Sequence, residues 1–276
     1  MRKRVVFLDI DGTLTEPGSN VPPESAIKAI EMARGNGHLI FLCSGRNYDM
    51  LKTLLQYGFD GFVASSGGYI VCNGETIFDC PMTEEQRIRI MDVLKGHGIF
   101  CTVECKDGTY TDEEFKDFLR ENAKENGNSE MLRWRIQLEK NLNMRPMNEY
   151  DGQPVYKIVI MSPEEESARQ AREAIAEEFE ICIQDSTGQG FTNGEVVNRK
   201  FDKGQALERV CSYLDIPVCD SIAFGDSMND REMIEAAGLS VCMENGSETL
   251  KKIADEICPS VNDDGIWNAF QKYHLI

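Results

Sequence analysis

Residues 5–13 read VVFLDIDGT, so that four apolar residues are followed at once by two aspartates, a glycine and a threonine. An uninterrupted apolar run of this kind is typical of a strand buried on both faces, as in the parallel sheets of α/β proteins. Open sheets of that class bind ligands at the carboxyl ends of their strands. Asp9 and Asp11 are therefore predicted to lie at a binding edge, and Gly12 permits a sharp turn out of the strand.

The residues after this strand alternate between helical and extended patterns. The predicted elements are a helix over 22–35, a strand over 39–43, a helix over 48–57 and a strand over 62–64. This β-α-β-α-β order predicts a doubly wound parallel sheet. The dipeptide Asn73-Gly74 then predicts a type I′ hairpin between strands at 69–72 and 76–78.

The pattern changes to a longer, α+β spacing after residue 81 and returns to the α/β rhythm after Lys203. Within the changed segment we predict helices over 84–95, 112–126 and 163–178 and strands over 100–103, 155–161 and 180–183. The simplest account is a Rossmann-like α/β core built from residues 1–81 and 197–276. An α+β cap domain, residues 82–196, is inserted into it.

The charge balance excludes several classes of partner. Lys and Arg total 29 against 47 Asp and Glu, a formal net charge of −18. A field of this sign repels phosphate backbones and anionic lipids, so we expect neither a nucleic-acid nor a membrane partner.

The basic start, MRKR, is followed by only four apolar residues, too few for a signal peptide. A cytoplasmic location is the expectation, with the ten cysteines, none in a Cys-x-x-Cys pair, kept reduced.

Three further polar motifs follow predicted strands or begin a predicted helix. Ser44-Gly45-Arg46 directly follows the second strand and offers a hydroxyl and an approachable N–H to a phosphoryl oxygen. Lys203 at a helix start opposes the helix dipole unless an anion offsets it. Asp226 follows a strand predicted over 221–224 and is placed to join Asp9 at a metal. Asp230, four residues later, is expected either to ligate the metal or to support one of its ligands. Taken singly, each motif also fits ordinary turn, cap or surface chemistry.

Together these motifs supply what phosphoryl transfer requires. The transition state carries negative charge on its equatorial oxygens, which a cation, a lysine and hydrogen-bond donors stabilise. A carboxylate nucleophile divides hydrolysis into two steps. Only three histidines occur, at positions 38, 97 and 274, and none follows a strand in a comparable motif.

The four motifs, in this order, resemble those of the haloacid-dehalogenase-like phosphohydrolase superfamily. The motifs are residues 9–13 (DIDGT), 44–46 (SGR), 203–204 (KG) and 225–230 (GDSMND). Within that superfamily the chain is similar to the Cof-type, sugar-phosphatase-like branch with an α/β cap, as residues 241–245 (VCMEN) and 262–265 (NDDG) also suggest. The resemblance covers the core on both sides of the insertion. It implies that the cap sets substrate specificity.

The resemblance implies a role for each motif residue. Asp9 is the nucleophile, and Asp11 is the acid for the leaving oxygen and then the base for water. The Mg²⁺ site is formed by Asp9, Asp11 (through its backbone carbonyl), Asp226 and Asp230. The phosphoryl group is bound by Ser44, Gly45, Lys203 and Asn229.

The implied function is a Mg²⁺-dependent phosphoric monoester hydrolase that acts on a small phosphorylated metabolite, with sugar phosphates as one candidate class. Asp11 favours hydrolysis, because relatives that pump ions have threonine at its position. Two alternatives stay open from the sequence: a phosphosugar mutase of similar build, and a non-catalytic phosphometabolite-binding protein. The sequence does not indicate the oligomeric state.

Two features bear on substrate choice. Ser66-Gly67-Gly68 stands where this branch often has Asn-Gly-Ala, so the leaving group meets a shorter side chain. In the cap, Arg133, Arg135 and Lys157 are candidates for steering an anionic substrate, although solvated surface positions explain these cations equally well.

Overall fold

The computed structural model describes residues 2–122, 144–184 and 192–276, which divide into two compact units. The first unit comprises residues 1–46, 50–79 and 202–276, and the second comprises residues 47–49 and 80–201. Each unit has its own sheet and its own cluster of buried apolar side chains. Among the described residues, no helix combines the length and apolarity needed to cross a membrane.

The strands, in chain order, are β1 (Val5–Leu8), β2 (Leu39–Cys43), β3 (Gly61–Ala64), β4 (Tyr69–Cys72), β5 (Glu75–Asp79), β6 (Phe100–Cys105), β7 (Gly108–Thr111), β8 (Met144–Pro146), β9 (Val155–Ser162), β10 (Phe179–Gln184), β11 (Thr192–Asn198), β12 (Ser221–Gly225), β13 (Leu239–Met243) and β14 (Glu256–Cys258).

The α-helices are α1 (Glu24–Gly35), α2 (Tyr48–Leu51), α3 (Glu84–Gly96), α4 (Glu113–Asn122), α5 (Glu165–Ile175), α6 (Lys203–Tyr213), α7 (Arg231–Ala236), α8 (Glu248–Ile253) and α9 (Gly265–Lys272).

The described strands of the first unit form one sheet in the order β14-β13-β12-β1-β2-β3-β4-β5. The six strands from β14 to β3 are parallel, and β4 and β5 add an antiparallel edge. Strand β1 lies at the centre, where Leu8 pairs with Leu42 on one side and with Phe224 on the other. The predicted α/β class with a Rossmann-like parallel core is confirmed. This register brings the carboxyl ends of β1, β2 and β12 to one edge.

The hairpin between β4 and β5 has the predicted geometry. Asn73 and Gly74 have φ values of 49° and 84°, the two left-handed positions that a type I′ turn requires.

The helix predicted over 48–57 is shorter in the structure. It ends at Leu51 and is followed by a 3₁₀ turn over Leu55–Tyr57 that is closed by the left-handed Gly58. The reason is a change to i→i+3 backbone bonds, such as that from Leu54 N–H to the Leu51 carbonyl.

The described strands of the second unit form a sheet in the order β10-β11-β9-β6-β7-β8. Its pairs are antiparallel, except that β7 and β8 are parallel. Five predicted elements agree with this unit in type and place: α3, β6, β9, α5 and β10. The predicted helix over 112–126 begins as α4, and its last residues lie outside the described part of the chain.

The interior of the second unit includes charged side chains. Lys157 on β9 is completely buried, and its Nζ lies 2.6 Å from Glu195 Oε1 on β11 and 3.3 Å from Glu104 Oε2 on β6. The solvated-surface interpretation of Lys157 was therefore wrong, because the side chain is buried and its charge is paired with two carboxylates within its own unit. Arg133 and Arg135, the other predicted steering cations, lie outside the described residues.

Candidate active site

Four polar segments converge at the carboxyl edge of the parallel strands in the first unit. Asp9 follows β1, Ser44 follows β2 and Asp226 follows β12, while Lys203 is the first residue of α6. All four residues are buried, with 5% or less of their surface exposed. Buried polar side chains at the end of a parallel sheet are what a ligand site in this architecture requires.

Lys203 joins two of these segments. Its Nζ donates to Asp9 Oδ1 at 2.7 Å and to Asp230 Oδ1 at 2.6 Å. The helix that carries it is capped by Asp202, whose side chain accepts from the backbone N–H of Gln205. The two carboxylates supply the negative charge that a lysine at a helix N-terminus needs.

The two carboxylates that bind this lysine form a compact cluster with a third. Oxygen atoms of Asp9, Asp226 and Asp230 all lie within 4.8 Å of one another, and the three residues are buried. One ammonium group offsets only part of their charge. Oxygen ligands and excess negative charge fit a hard divalent cation such as Mg²⁺. A divalent cation therefore suits these residues on charge and donor chemistry.

Asp230 also organises the loop after β12. Its Oδ2 accepts from the backbone N–H groups of Asp226 at 3.0 Å and Ser227 at 3.2 Å, and its Oδ1 accepts from Lys203. A Cβ on Gly225 would lie 2.6 Å from the Cβ of Asp230, so glycine at this position permits the approach. Asp230 thus orients the segment that carries Asp226, whether or not it also contacts the cation.

Burial and neighbouring charges shift the pKa values of both Asp9 and Lys203. Burial, with the repulsion of Asp230, raises the pKa of Asp9 to about 8 despite the opposing effect of Lys203. Burial by itself lowers the pKa of Lys203, but the charges of Asp230 and Asp9 outweigh it and hold that pKa well above its usual value. The site is therefore more acidic in composition than its single lysine can neutralise, which again favours a cation.

The loop after β1 contacts the loop after β12. Gly12 has a φ of 87°, and a Cβ there would lie 2.3 Å from Asp226 Oδ2. An alanine at this position would therefore be strained in its backbone and would displace the carboxylate. The glycine in the first motif is required both for the turn and for the close approach of Asp226.

Asp11 lies outside the carboxylate cluster and has a different partner. Its two oxygens accept from Arg46, with 2.8 Å from Nε to Oδ2 and 2.6 Å from Nη2 to Oδ1. The backbone N–H of Gly18 donates to Oδ1 at 2.8 Å. The sequence prediction gave Asp11 a metal contact through its backbone carbonyl and an acid–base role through its side chain. A side chain directed to Arg46 is compatible with that division.

The predicted phosphate-binding residues occupy two of the converging loops. Ser44 and the buried Gly45 follow β2, and the Ser44 hydroxyl accepts from the backbone N–H of Arg46 at 3.2 Å. Asn229 lies in the 3₁₀ turn after β12, where its Oδ1 accepts from the Ser227 hydroxyl at 2.8 Å. These residues lie at the same sheet edge as Asp9, and their phosphate-binding role stays a prediction.

Two residues to which the sequence reasoning gave no role belong to this edge. Arg46 holds Asp11, and Asn245, in the loop after β13, donates from Nδ2 to the backbone carbonyl of Gly12 at 2.7 Å. Arg46 stood inside a recognised motif, so its position was a usable signal. Asn245 had only its place in the VCMEN segment to suggest it.

Comparison with known proteins gives a consistent result. A sequence model described as haloacid dehalogenase-like hydrolase matches residues 6–270. The phosphatase YwpJ of Bacillus subtilis is 24% identical over 99% of this chain and all of its own length. A 5-amino-6-(5-phospho-D-ribitylamino)uracil phosphatase of that species, YwtE, is 25% identical, with 95% of each chain covered.

Solved structures share the fold. The HAD subclass IIB sugar phosphatase BT4131 superposes with a TM-score of 0.76 at 21% identity, covering 99% of this chain and all of that one. The phosphatase BT1666 of Bacteroides thetaiotaomicron gives 0.79 at 20% identity, covering 99% and 96% of the two chains.

Proposed function

Because this chain belongs to the haloacid dehalogenase-like hydrolases and is a phosphatase, we propose that it hydrolyses a small phosphorylated metabolite through an aspartyl-phosphate on Asp9, with Mg²⁺ as cofactor. The observation that carries the proposal is the position of the Lys203 ammonium, within 2.7 Å of both Asp9 and Asp230. The carboxylate proposed as nucleophile, the ammonium proposed to bind the phosphoryl group and the carboxylates proposed to bind the metal thus lie together.

The first half of the reaction uses Asp9 and Asp11. A carboxylate oxygen of Asp9 attacks phosphorus and forms the new P–O bond, while the bond from phosphorus to the leaving oxygen breaks. Asp11 in its protonated form gives its proton to that oxygen, and the alcohol departs. Lys203 orients Asp9 through the hydrogen bond to Oδ1 and offsets the charge of the phosphoryl oxygens.

The second half releases phosphate. Asp11, now a carboxylate, takes a proton from a water molecule as the water oxygen attacks phosphorus. The bond between phosphorus and Asp9 breaks, so Asp9 is again a free carboxylate, and the proton taken from water leaves Asp11 protonated, as it was at the start. Ser44, Gly45 and Asn229 are proposed to donate to the phosphoryl oxygens from the two adjacent loops.

The proposed Mg²⁺ ligands are Asp9, Asp226 and the backbone carbonyl of Asp11, with Asp230 as a ligand or as support for the loop. When bound, the ion supplies Lewis-acid stabilisation of the phosphoryl charge. Burial and the repulsion of Asp230 raise the pKa of Asp9, which shows that the negative charge of these carboxylates is not fully balanced. A bound divalent cation would balance that charge.

The names of the relatives support a proposal for the substrate class. Relatives bear names of phosphatases for small phosphorylated compounds, among them a ribitylaminouracil phosphate, HMP-PP and sugar phosphates. We propose a substrate of the same size, with sugar phosphates as the first compounds to test. Residues 82–196 are proposed as the cap that selects among them, a task separate from the chemistry of the core.

The test is phosphate release from a panel of sugar phosphates, nucleotides and cofactor phosphates with Mg²⁺ present, by the wild type and by Asp9→Asn. We expect turnover of at least one compound, lost in the variant, with free phosphate rather than an isomerised sugar as the product. Asp220→Asn is the matched control, since Asp220 is also buried and paired with cations, Arg2 and Arg4, but precedes β12. Undiminished turnover in Asp9→Asn would disprove the nucleophile assignment.

A further inference from the structure

Arg46 and Asp11 form a buried, two-pronged ion pair at the carboxyl ends of β2 and β1. The Nε and Nη2 atoms of Arg46 donate to different oxygens of Asp11, at 2.8 and 2.6 Å, so the guanidinium and carboxylate meet edge to edge. Each side chain is 2% exposed. This fork geometry fixes the plane of the carboxylate as well as its position, which a lysine ammonium cannot do.

Two further N–H groups of Arg46 also make hydrogen bonds. Nη1 donates to Asn20 Oδ1 at 2.6 Å, and Nη2 also donates to the Ser19 carbonyl at 3.0 Å. The neighbouring Gly18 N–H donates to Asp11 Oδ1 at 2.8 Å. The guanidinium is therefore anchored by the loop that follows Asp11, and the carboxylate is held from two directions.

A contribution to folding stability does not by itself explain why this ion pair is buried here. Taking two charges out of water offsets most of their attraction, so a buried ion pair contributes little net stability compared with apolar side chains of the same size. The same chain makes an equivalent fork at the surface, between Arg34 and Asp60, with both bonds at 3.0 Å. What distinguishes the buried fork is its place, two residues along the chain from Asp9.

We propose that Arg46 is the positioning residue of Asp11: it holds the Asp11 carboxyl in the orientation from which that group exchanges protons with the leaving oxygen and with water. This inference rests on the proposed function, in which Asp11 is the acid and base. Arg46 acts through Asp11 and takes no part in the bonds that form and break.

If Arg46 positions Asp11, the activity lost when Arg46 is replaced depends on the leaving group of the substrate. The value of kcat/KM reports the steps up to release of the alcohol, so it includes leaving-group protonation but not hydrolysis of the aspartyl-phosphate. p-Nitrophenolate leaves without a proton, whereas the alkoxide of β-glycerol phosphate needs one. A misplaced Asp11 should therefore affect the second compound and spare the first.

The experiment compares wild type, Arg46→Lys and Arg34→Lys on these two probes with Mg²⁺ present. We expect Arg46→Lys to lower kcat/KM for β-glycerol phosphate by about 10- to 100-fold and for p-nitrophenyl phosphate by less than about twofold. Arg34→Lys, which breaks the matched surface fork, should leave both values unchanged. Equal losses on the two probes would overturn the proposal, since they would mean a general structural or phosphate-binding role.

A double variant gives an independent readout. If Arg46 acts through Asp11, then adding Arg46→Lys to Asp11→Asn should cause no further loss on β-glycerol phosphate. A further loss of the same size as in the single variant would contradict the proposal. Should Arg46→Lys fail to fold, Asn20→Ala serves instead, because it removes the hydrogen bond that holds Nη1 of Arg46. This variant should also lower kcat/KM more for β-glycerol phosphate than for p-nitrophenyl phosphate, by a smaller factor. Selectivity absent from that variant too would count against the proposal.

The outcomes also separate this proposal from the function on which it rests. A wild type that releases phosphate from neither probe, or an Asp9→Asn variant that equals it, would overturn both. An active wild type that depends on Asp9 but shows no leaving-group selectivity in the Arg46 or Asn20 variants would overturn the role of Arg46 alone.

Discussion

The side-chain amide of Asn245 donates a 2.7 Å hydrogen bond to the backbone carbonyl of Gly12, although 232 residues lie between them in the chain. In the same loop, the backbone N–H of Ser247 donates to the Asp226 carbonyl at 2.8 Å. The loop after β13 thus contacts both carboxylate-bearing loops through their backbones. It helps to set the separation of Asp9 and Asp226 without adding a reactive group.

Removing this contact should weaken the proposed metal site. We expect Asn245→Ala to lower Mg²⁺ affinity or activity by about 10- to 100-fold, the usual effect of losing a group that supports metal ligands. Affinity is measured by the rise in Tm with added Mg²⁺, apart from any assay of turnover. Asn36→Ala is the matched control, because Asn36 makes a similar bond, 2.9 Å to the Leu275 carbonyl. Equal effects of the two variants on Mg²⁺ would contradict this role.

The raised pKa of Asp9 predicts how the metal-free protein responds to pH. With a pKa of about 8 when folded against 3.8 normally, Asp9 binds its proton more tightly in the folded state. The stability from this group is therefore present at low pH and is lost as pH rises from about 4 to about 8. Asp9→Asn should reduce that loss, since the amide does not ionise yet still accepts from Lys203. Urea unfolding in EDTA across this range measures the effect.

The same variant should respond less to Mg²⁺. A cation that binds only the folded state raises Tm by mass action, and removing one proposed ligand weakens that binding. The predicted pattern is a higher Tm for Asp9→Asn than for wild type at pH about 8 in EDTA, with a smaller shift on adding Mg²⁺. A Tm that is lower than that of wild type under these conditions would contradict the charge argument.

Two buried lysines allow a comparison between the site and the second unit. Lys203→Met leaves the carboxylates of Asp9 and Asp230 without their ammonium, and Lys157→Met removes the cation beside Glu195. Breaking a buried ion pair in this way typically destabilises by about 3–5 kcal/mol. We expect both variants to unfold at lower urea, but only Lys203→Met to lose protection by inorganic phosphate in a Tm assay. Equal protection in both variants would argue against phosphate binding by Lys203.

His38 predicts a second, independent pH effect at the opposite ends of the strands. Its Nδ1 accepts from the backbone N–H of Arg4 at 3.1 Å, so this ring nitrogen carries no proton. Burial, with the nearby charge of Arg4, lowers the pKa of His38 below its usual 6.5. The unfolded chain therefore binds the proton more readily, and stability falls as pH drops through 6.5 toward the lowered value.

His38→Asn tests this effect, because the asparagine oxygen accepts from the same N–H and does not titrate. Urea unfolding of wild type and variant between about pH 5 and about pH 8 should give a shallower acid-side slope for the variant. Identical slopes would show that His38 does not contribute.

The core and the convergence of the candidate site residues could be predicted because both depend on local features of the sequence. Buried parallel strands are uninterrupted apolar runs, as in β1 and β2, and each motif residue directly follows a strand or begins a helix. The parallel pairing then brings the carboxyl ends of these strands together. The convergence of β1, β2 and β12 could therefore be predicted without knowledge of individual contacts.

The second unit was less predictable for the opposite reason. Strand β11 reads TNGEVVN, and its buried positions include Asn193 and Glu195, so it lacks the apolar pattern of a strand. The polarity of these positions is compensated in part by Lys157, 38 residues away from Glu195. The pairing of Arg46 with Asp11 was not predicted either, because the motif places Arg46 at the sheet edge but does not indicate which side chain it binds.

The loop after β3 is held in a conformation that its sequence disfavours. Ser65, Ser66 and Gly67 have φ values of 51°, 57° and 110°, three left-handed residues in succession. Each non-glycine residue in this region costs about 1–2 kcal/mol. Ser66→Gly should therefore stabilise the protein by up to about 1 kcal/mol, since part of the relief is offset by the entropy of glycine in the unfolded chain.

Gly67 should respond in the opposite direction. An alanine Cβ there would lie 2.5 Å from the backbone oxygen of Asp202, the residue that caps the helix of Lys203. Gly67→Ala thus combines backbone strain with a collision that displaces this cap. Gly37→Ala isolates the strain, because Gly37 also has a positive φ but no atom within 4 Å of the added Cβ. We expect Gly67→Ala to lower the free energy of unfolding more than Gly37→Ala in urea titrations, and equal losses would show that Asp202 yields without cost.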